Sequence, residues 1–142
     1  MKNNLIYGVI AGLTGGLIFG ILMQMMGMIE MIAMMAGSSS LFVGWLIHMI
    51  ISIVFGVSFT VLAPKFNNLP LFTILFGVVI WVIGPLVIMP MMLGMGTMLM
   101  NAFAMDQLMS LGTHLFFAVI VAVVYKLLTS KAGFTNTIPA TK

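Results

Sequence analysis

Residues 71–93, LFTILFGVVIWVIGPLVIMPMML, run for 23 positions without a charged side chain. A helix of that length rises about 34 Å at 1.5 Å per residue, enough to cross the roughly 30 Å hydrocarbon core of a bilayer. Three further stretches have the same character: Leu5–Met28, Ser40–Leu62 and Gln107–Leu128. Of 142 residues, 63% are hydrophobic and only 5% are charged. The expected fold is therefore all-α: a polytopic membrane protein whose four transmembrane helices form one bundle over residues 1–128. A polar tail is expected over 129–142. Little chain remains outside the spans, so there is no room for a soluble catalytic domain and an enzymatic role is not expected.

Lys2 ahead of an apolar run resembles a secretory leader, but the run exceeds the 7–15 residues of such a segment and has a counterpart later in the chain. It is expected to stay as the first span. Cysteine is absent, which excludes disulfides, thiolate metal sites and cysteine nucleophiles. The formal charge of +3 comes from lysines at the termini and in one short loop, with no basic stripe, so no nucleic-acid partner is expected. The bilayer is the partner that composition does imply.

The charges sort by side. Lys2, Lys65, Lys126, Lys131 and Lys142 fall at the N-terminus, the second connection and the C-terminus, which four spans place together. Glu30 and Asp106, the only acids, fall in the first and third connections. The excess of lysine on one side predicts that both termini are cytoplasmic. Tyr7 and Tyr125 are then expected at the inner interface and Trp45 near the outer one.

A shift of 66 residues lays the second span on the fourth: Gly44-Trp-Leu-Ile-His48-Met-Ile-Ile-Ser52 falls on Ser110-Leu-Gly-Thr-His114-Leu-Phe-Phe-Ala118. With one residue of slippage, Met23-Gln-Met-Met-Gly-Met28 falls on Met89-Pro-Met-Met-Leu-Gly-Met95. The chain reads as two copies of a two-helix hairpin, about 5–62 and 71–128. An even number of spans per copy preserves orientation, so the repeats are parallel.

Methionine follows the same pattern. Apart from Met1, eight methionines lie between Met23 and Met49 and eight between Met89 and Met109, with none elsewhere. Methionine used only as adaptable apolar filler is expected in every span. Its confinement to two windows, both facing out of the cell in this topology, predicts a layer of thioether sulfur. Met23, Met25, Met26 and Met28, with Met89, Met91, Met92 and Met95, are its candidate ligands.

Below that layer lie two histidines. His48 is about eight residues in from the outer end of its span, roughly 12 Å deep, and His114 lies at a similar depth. Ionisable residues at such depth usually face the bundle interior. Thioether and imidazole together suit Cu(I), a soft ion that tolerates neutral donors. A second reading makes His48 and His114 axial ligands of haem b, since Gly44, Ser52, Ser110 and Ala118 flank them and clear space for a macrocycle. A third is a structural or pore-forming subunit with no ligand, its methionines serving as packing or as an oxidant sink.

Other signals concern packing. Gly8, Gly12, Gly16 and Gly20 make one smooth face on the first span, suited to helix contact within the bundle or across a homo-oligomer. Gln24 extends that face and needs a partner. Gly84-Pro85 and Met89-Pro90 predict a bend or break in the third span, with carbonyls freed toward a cavity. Ala63–Pro70 reads as a tight turn, Gly37 as a helix stop, Ser40 as an N-cap, and Asp106 as a cap for the fourth span.

Trp45-Leu-Ile-His48-Met-Ile-Ile-Ser-Ile-Val-Phe-Gly56, Pro64-Lys65, Pro90-Met-Met-Leu-Gly94 and His114-Leu115 resemble the YagU-like inner-membrane proteins of bacteria. The resemblance covers roughly residues 40–120. It implies a four-helix bundle in the bacterial inner membrane and draws notice to both histidines; that family has no established biochemical activity and supplies no substrate. The first outer connection is shorter, and methionine denser, than the family pattern.

Overall fold

Backbone N–H and C=O groups find no water in hydrocarbon, so a segment that crosses it must pair them internally. The computed structural model describes residues 2–135, with side chains over residues 4–130, and its regular structure there is entirely helical. The elements are α1 (Lys2–Met25), α2 (Met28–Met35), α3 (Leu41–Leu62), α4 (Leu69–Trp81), a π-helical segment (Val82–Ile88), α5 (Met89–Met92) and α6 (Met105–Thr135). Four helices are long and apolar enough to span a membrane: Asn4–Met25, Leu41–Lys65, Leu69–Met92 and Met105–Ser130.

The spans run up and down. Thr60 Oγ1 donates to Asn4 O at 2.8 Å, and the Phe59 ring meets Tyr125 at 6.0 Å and Phe72 at 4.9 Å. The start of α1, the end of α3, the start of α4 and the later part of α6 thus share one end. There a 3₁₀ turn (Ala63–Lys65) leads to Asn68, whose side chain accepts the Leu71 N–H at 3.0 Å and starts α4. Phe59, Phe72 and Phe76 are buried together and fill this half of the bundle. The opposite half, here the methionine end, is less closed.

The tightest contact is between α1 and α3. Gly12 lies so close to α3 that a Cβ would fall 2.5 Å from Ser52 O and 2.7 Å from Ile53 Cα. Gly8 faces Val57 and Thr60 in the same way, and Gly56 of α3 returns the contact against the α1 backbone. The glycine face offered to either the bundle or a second copy is therefore filled from within the chain. An equivalent contact joins the other pair of spans, where Gly77 of α4 packs on Leu115 and Ala118 of α6.

Two local expectations need correction. The first span does not reach Met28: Gly27 adopts φ +72° after α1, and the chain turns into α2. This short helix folds inward on Ile29, Ile32 and Ala33, and Gly44 receives Ile29. The first connection is thus a packed element; Gly37, at φ +69°, ends it as expected. Trp45 Nε1–H donates to Gln24 Oε1 and supplies the partner that Gln24 needs. The tail expected from residue 129 is helical as far as Thr135; residues 136–142 lie outside the described residues. Ser40 occupies the N-cap of α3 without a capping bond from its hydroxyl.

The third span breaks where the prolines predict. Around Pro85 the ladder widens into π-helix, and the Met89 N–H reaches back five residues to Gly84 O. A π turn absorbs a missing donor without ending the helix. Pro90 would have donated to Leu86 O in an α-helix. That carbonyl instead accepts the Met98 N–H at 2.8 Å, which pins the α5–α6 connection to the broken span. The carbonyl freed by Pro90 is therefore satisfied rather than offered to a cavity.

Close backbone contact at Gly12 leaves no room for a side chain. Gly12→Leu is expected to destabilise the fold by about 3 kcal/mol, at the upper end of overpacking effects. Gly112→Ala, where a Cβ meets nothing within 4 Å, is expected to be neutral or slightly stabilising. Thermal unfolding of both variants in detergent, followed by circular dichroism, checks the contrast.

Candidate metal site

The glycines of α1 also seat the first histidine. At Gly20 a Cβ would strike Trp45 and, at 3.0 Å, His48 Cδ2. One turn earlier, Gly16 O accepts the His48 Nε2–H at 2.9 Å. On α6, His114 Nδ1–H donates to Ser110 O at 2.7 Å. A carbonyl oxygen can only accept, so each bond fixes which ring nitrogen carries the proton in a neutral imidazole. His48 keeps a bare Nδ1 and His114 a bare Nε2. Such bonds orient an imidazole for metal binding.

Both rings line one cavity of about 770 Å³ at the methionine end. Among the described residues, the one enclosed side-chain nitrogen or oxygen without a partner is Gln107 Oε1. The bare imidazole nitrogens are thus not sealed in protein and open onto the cavity. Phe19 of α1 stands between the two rings, with centroids 5.8 Å from His48 and 5.5 Å from His114.

Nine methionines line the same cavity, drawn from both windows. Five of them belong to the expected layer: Met23, Met26, Met28, Met89 and Met95. Met23 is buried directly above Phe19 on α1. Met25, Met91 and Met92 do not enter; they are 81%, 57% and 57% exposed and point away. Met25 and Met26 are adjacent on a helix end and so diverge, while Met91 and Met92 sit on the outer side of α5.

Sequence reasoning missed Met31, Met35, Met98 and Met109, which do line the cavity. Met28, Met31 and Met35 recur at helical spacing, a signal hidden by reading that stretch as a loop. Met98 is brought in by its backbone bond to Leu86 O, which depends on Pro90. Phe19 had no signal in its own sequence context. Asp106 also reaches the cavity edge; its carboxylate accepts Gln107 Nε2–H at 3.2 Å and makes no recorded cap to a backbone N–H. The Gln107 carboxamide oxygen, enclosed and unpartnered, forgoes about 1–3 kcal/mol.

The space that flanks His48 is partly filled, while Ser110 beside His114 lines the cavity. Gly44 is covered by the Ile29 carbonyl and Ser52 by Gly12 and Gly16. No group of three or more His, Cys, Asp or Glu side chains that could hold a metal forms among the described residues. No family model, curated protein or solved structure matches the chain.

The carbonyl partners make a distinct prediction. With ¹⁵N-labelled histidine in the full chain, NMR at neutral pH is expected to show two neutral tautomers, His48 protonated on Nε2 and His114 on Nδ1. Two identical tautomers would contradict the arrangement.

Proposed function

We propose that this chain is a multi-pass membrane protein of the bacterial inner membrane that binds Cu(I) reversibly at its methionine end. The observation that carries the reading is the single cavity that gathers nine thioethers and two imidazoles with bare nitrogens. Each donor is neutral, so desolvation falls almost wholly on the ion. The Born cost of burying a charge grows as its square, which favours a singly charged ion over a divalent one. Softness then selects Cu(I) among the available ions. The lack of thiolate supports exchange and handover over permanent storage.

The lysine distribution supports cytoplasmic termini and an outward-facing cavity. A duplicated, parallel hairpin is supported by paired contacts. Ser52, packed on Gly12, and Ala118, packed on Gly77, match under the shift of 66 that superposes the histidines, while Gly77 falls one residue before the counterpart of Gly12. The copies have since diverged, because His48 bonds to the neighbouring helix and His114 to its own.

The cavity divides the methionines into two testable sets. Leu is close to Met in volume, so exchange leaves packing nearly intact. Met23→Leu combined with Met89→Leu is expected to weaken Cu(I) binding at least about tenfold, or 1.4 kcal/mol. Met25→Leu with Met91→Leu and Met92→Leu is expected to leave it unchanged. Competition titration against a Cu(I) chelator under anaerobic conditions reads both. Equal losses from the two sets, or no copper bound by folded protein, would return the chain to a structural or pore-forming role.

A further inference from the structure

Beside the metal donors, the cavity has a side entrance. Ile50 and Val54 of α3 and Ile83 and Ile88 of the π-helical segment line it, yet are 54%, 56%, 41% and 47% exposed. The opening therefore faces sideways, between α3 and the broken third span, toward surrounding hydrocarbon. A second apolar hollow of about 320 Å³ continues it between α3 and α4. The two share Phe55, Ile80 and Ile83, so they form one groove. Along α3 from Ile50 to Leu62 the groove runs about 18 Å. Half the hydrocarbon core is about 15 Å thick.

The groove is a slot. Beneath its mouth Phe55 and Phe76 meet edge to face at 6.5 Å. A helix with side chains, roughly 10–12 Å across, needs on the order of 1,400 Å³ over that length, several times the volume of the hollow between α3 and α4. A single acyl chain does not. At the methionine end, the cavity edge carries the Asp106 carboxylate, which accepts the Gln107 Nε2–H, while Gln107 Oε1 is enclosed and unpartnered. A turn about the soft terminal torsion of Gln107 exchanges its amide ends, giving up the Nε2–H bond and setting Oε1 beside the Asp106 carboxylate, where a cationic donor can bridge the two.

We infer that this groove is a specific site for a phospholipid with a primary ammonium head, its acyl chain lying between α3 and α4. The ammonium donates to Gln107 Oε1 and its charge is balanced by Asp106. A quaternary ammonium has the charge but no N–H to donate, and an anionic head is repelled by Asp106. Each charge-assisted hydrogen bond of this kind is expected to give about a tenfold preference. The inference stands on the groove and its polar end and does not depend on the metal reading.

The test is native mass spectrometry of the full chain, released from detergent with equal amounts of phosphatidylethanolamine, phosphatidylcholine and phosphatidylglycerol of identical acyl chains. One retained phosphatidylethanolamine, favoured about tenfold over the other two, is expected. Gln107→Leu keeps the backbone carbonyl that bonds Trp81 Nε1–H and is expected to abolish the preference. Val54→Trp, at a lipid-facing position, is expected to block the mouth and lower retention of all three lipids. Free ethanolamine, which has the head without the chain, is expected not to displace the lipid. Equal retention of the three lipids, a preference that survives Gln107→Leu, or a second copy of the chain in place of lipid would overturn the inference.

Discussion

The approach of α1 to α3 along Gly8, Gly12, Gly16 and Gly20 governs what the rest of this bundle can do. In hydrocarbon, helices gain little from burying apolar surface, because lipid tails are as apolar as leucine. Association must come from close packing and from polar bonds made at short range. Glycine supplies both here. It lets the α3 backbone lie against α1, and it leaves the Gly16 carbonyl exposed to His48 Nε2. The same stripe admits the Trp45 ring, which then reaches Gln24. A buried imidazole, an indole and a carboxamide are all held by one run of missing side chains.

Two prolines provide the complementary asymmetry. The first hairpin is closed by glycine, while the third span is opened by Pro85 and Pro90. The π-helical turn carries that span past Pro85, and the Leu86 carbonyl recruits the connection through Met98 N–H. One half of the bundle is therefore sealed by Phe59, Phe72 and Phe76, and the other holds a cavity. Into it project flexible thioethers, which adapt to an irregular space and to an ion of changing coordination. On the copper reading proposed above, such a site is expected to exchange its ion more readily than a rigid cage of charged donors.

Much of this was legible in the sequence because the bilayer simplifies the problem. Span length, the glycine spacing and the proline distortion of the third span each follow from one physical requirement. What escaped was tertiary. Gly27 could be read as part of a span or as its end, and only the left-handed turn there creates α2 and brings Met31 and Met35 to the cavity. Met25, Met91 and Met92 share the composition of the layer but lie on outward faces, which a clustering argument cannot distinguish. Phe19, an ordinary apolar residue in a span, separates the two imidazoles because α1 crosses between α3 and α6.

The central claim is that sulfur and imidazole nitrogen from both halves of the chain meet around one soft ion. X-ray absorption at the copper edge, on the full chain loaded with Cu(I) in detergent, reads those donors directly. The account predicts a Cu(I) edge with a mixed shell of sulfur and nitrogen, and loss of the nitrogen contribution when both His48 and His114 are replaced by Ala. A shell of nitrogen and oxygen alone, unchanged by Leu at Met23 and Met89, would contradict it.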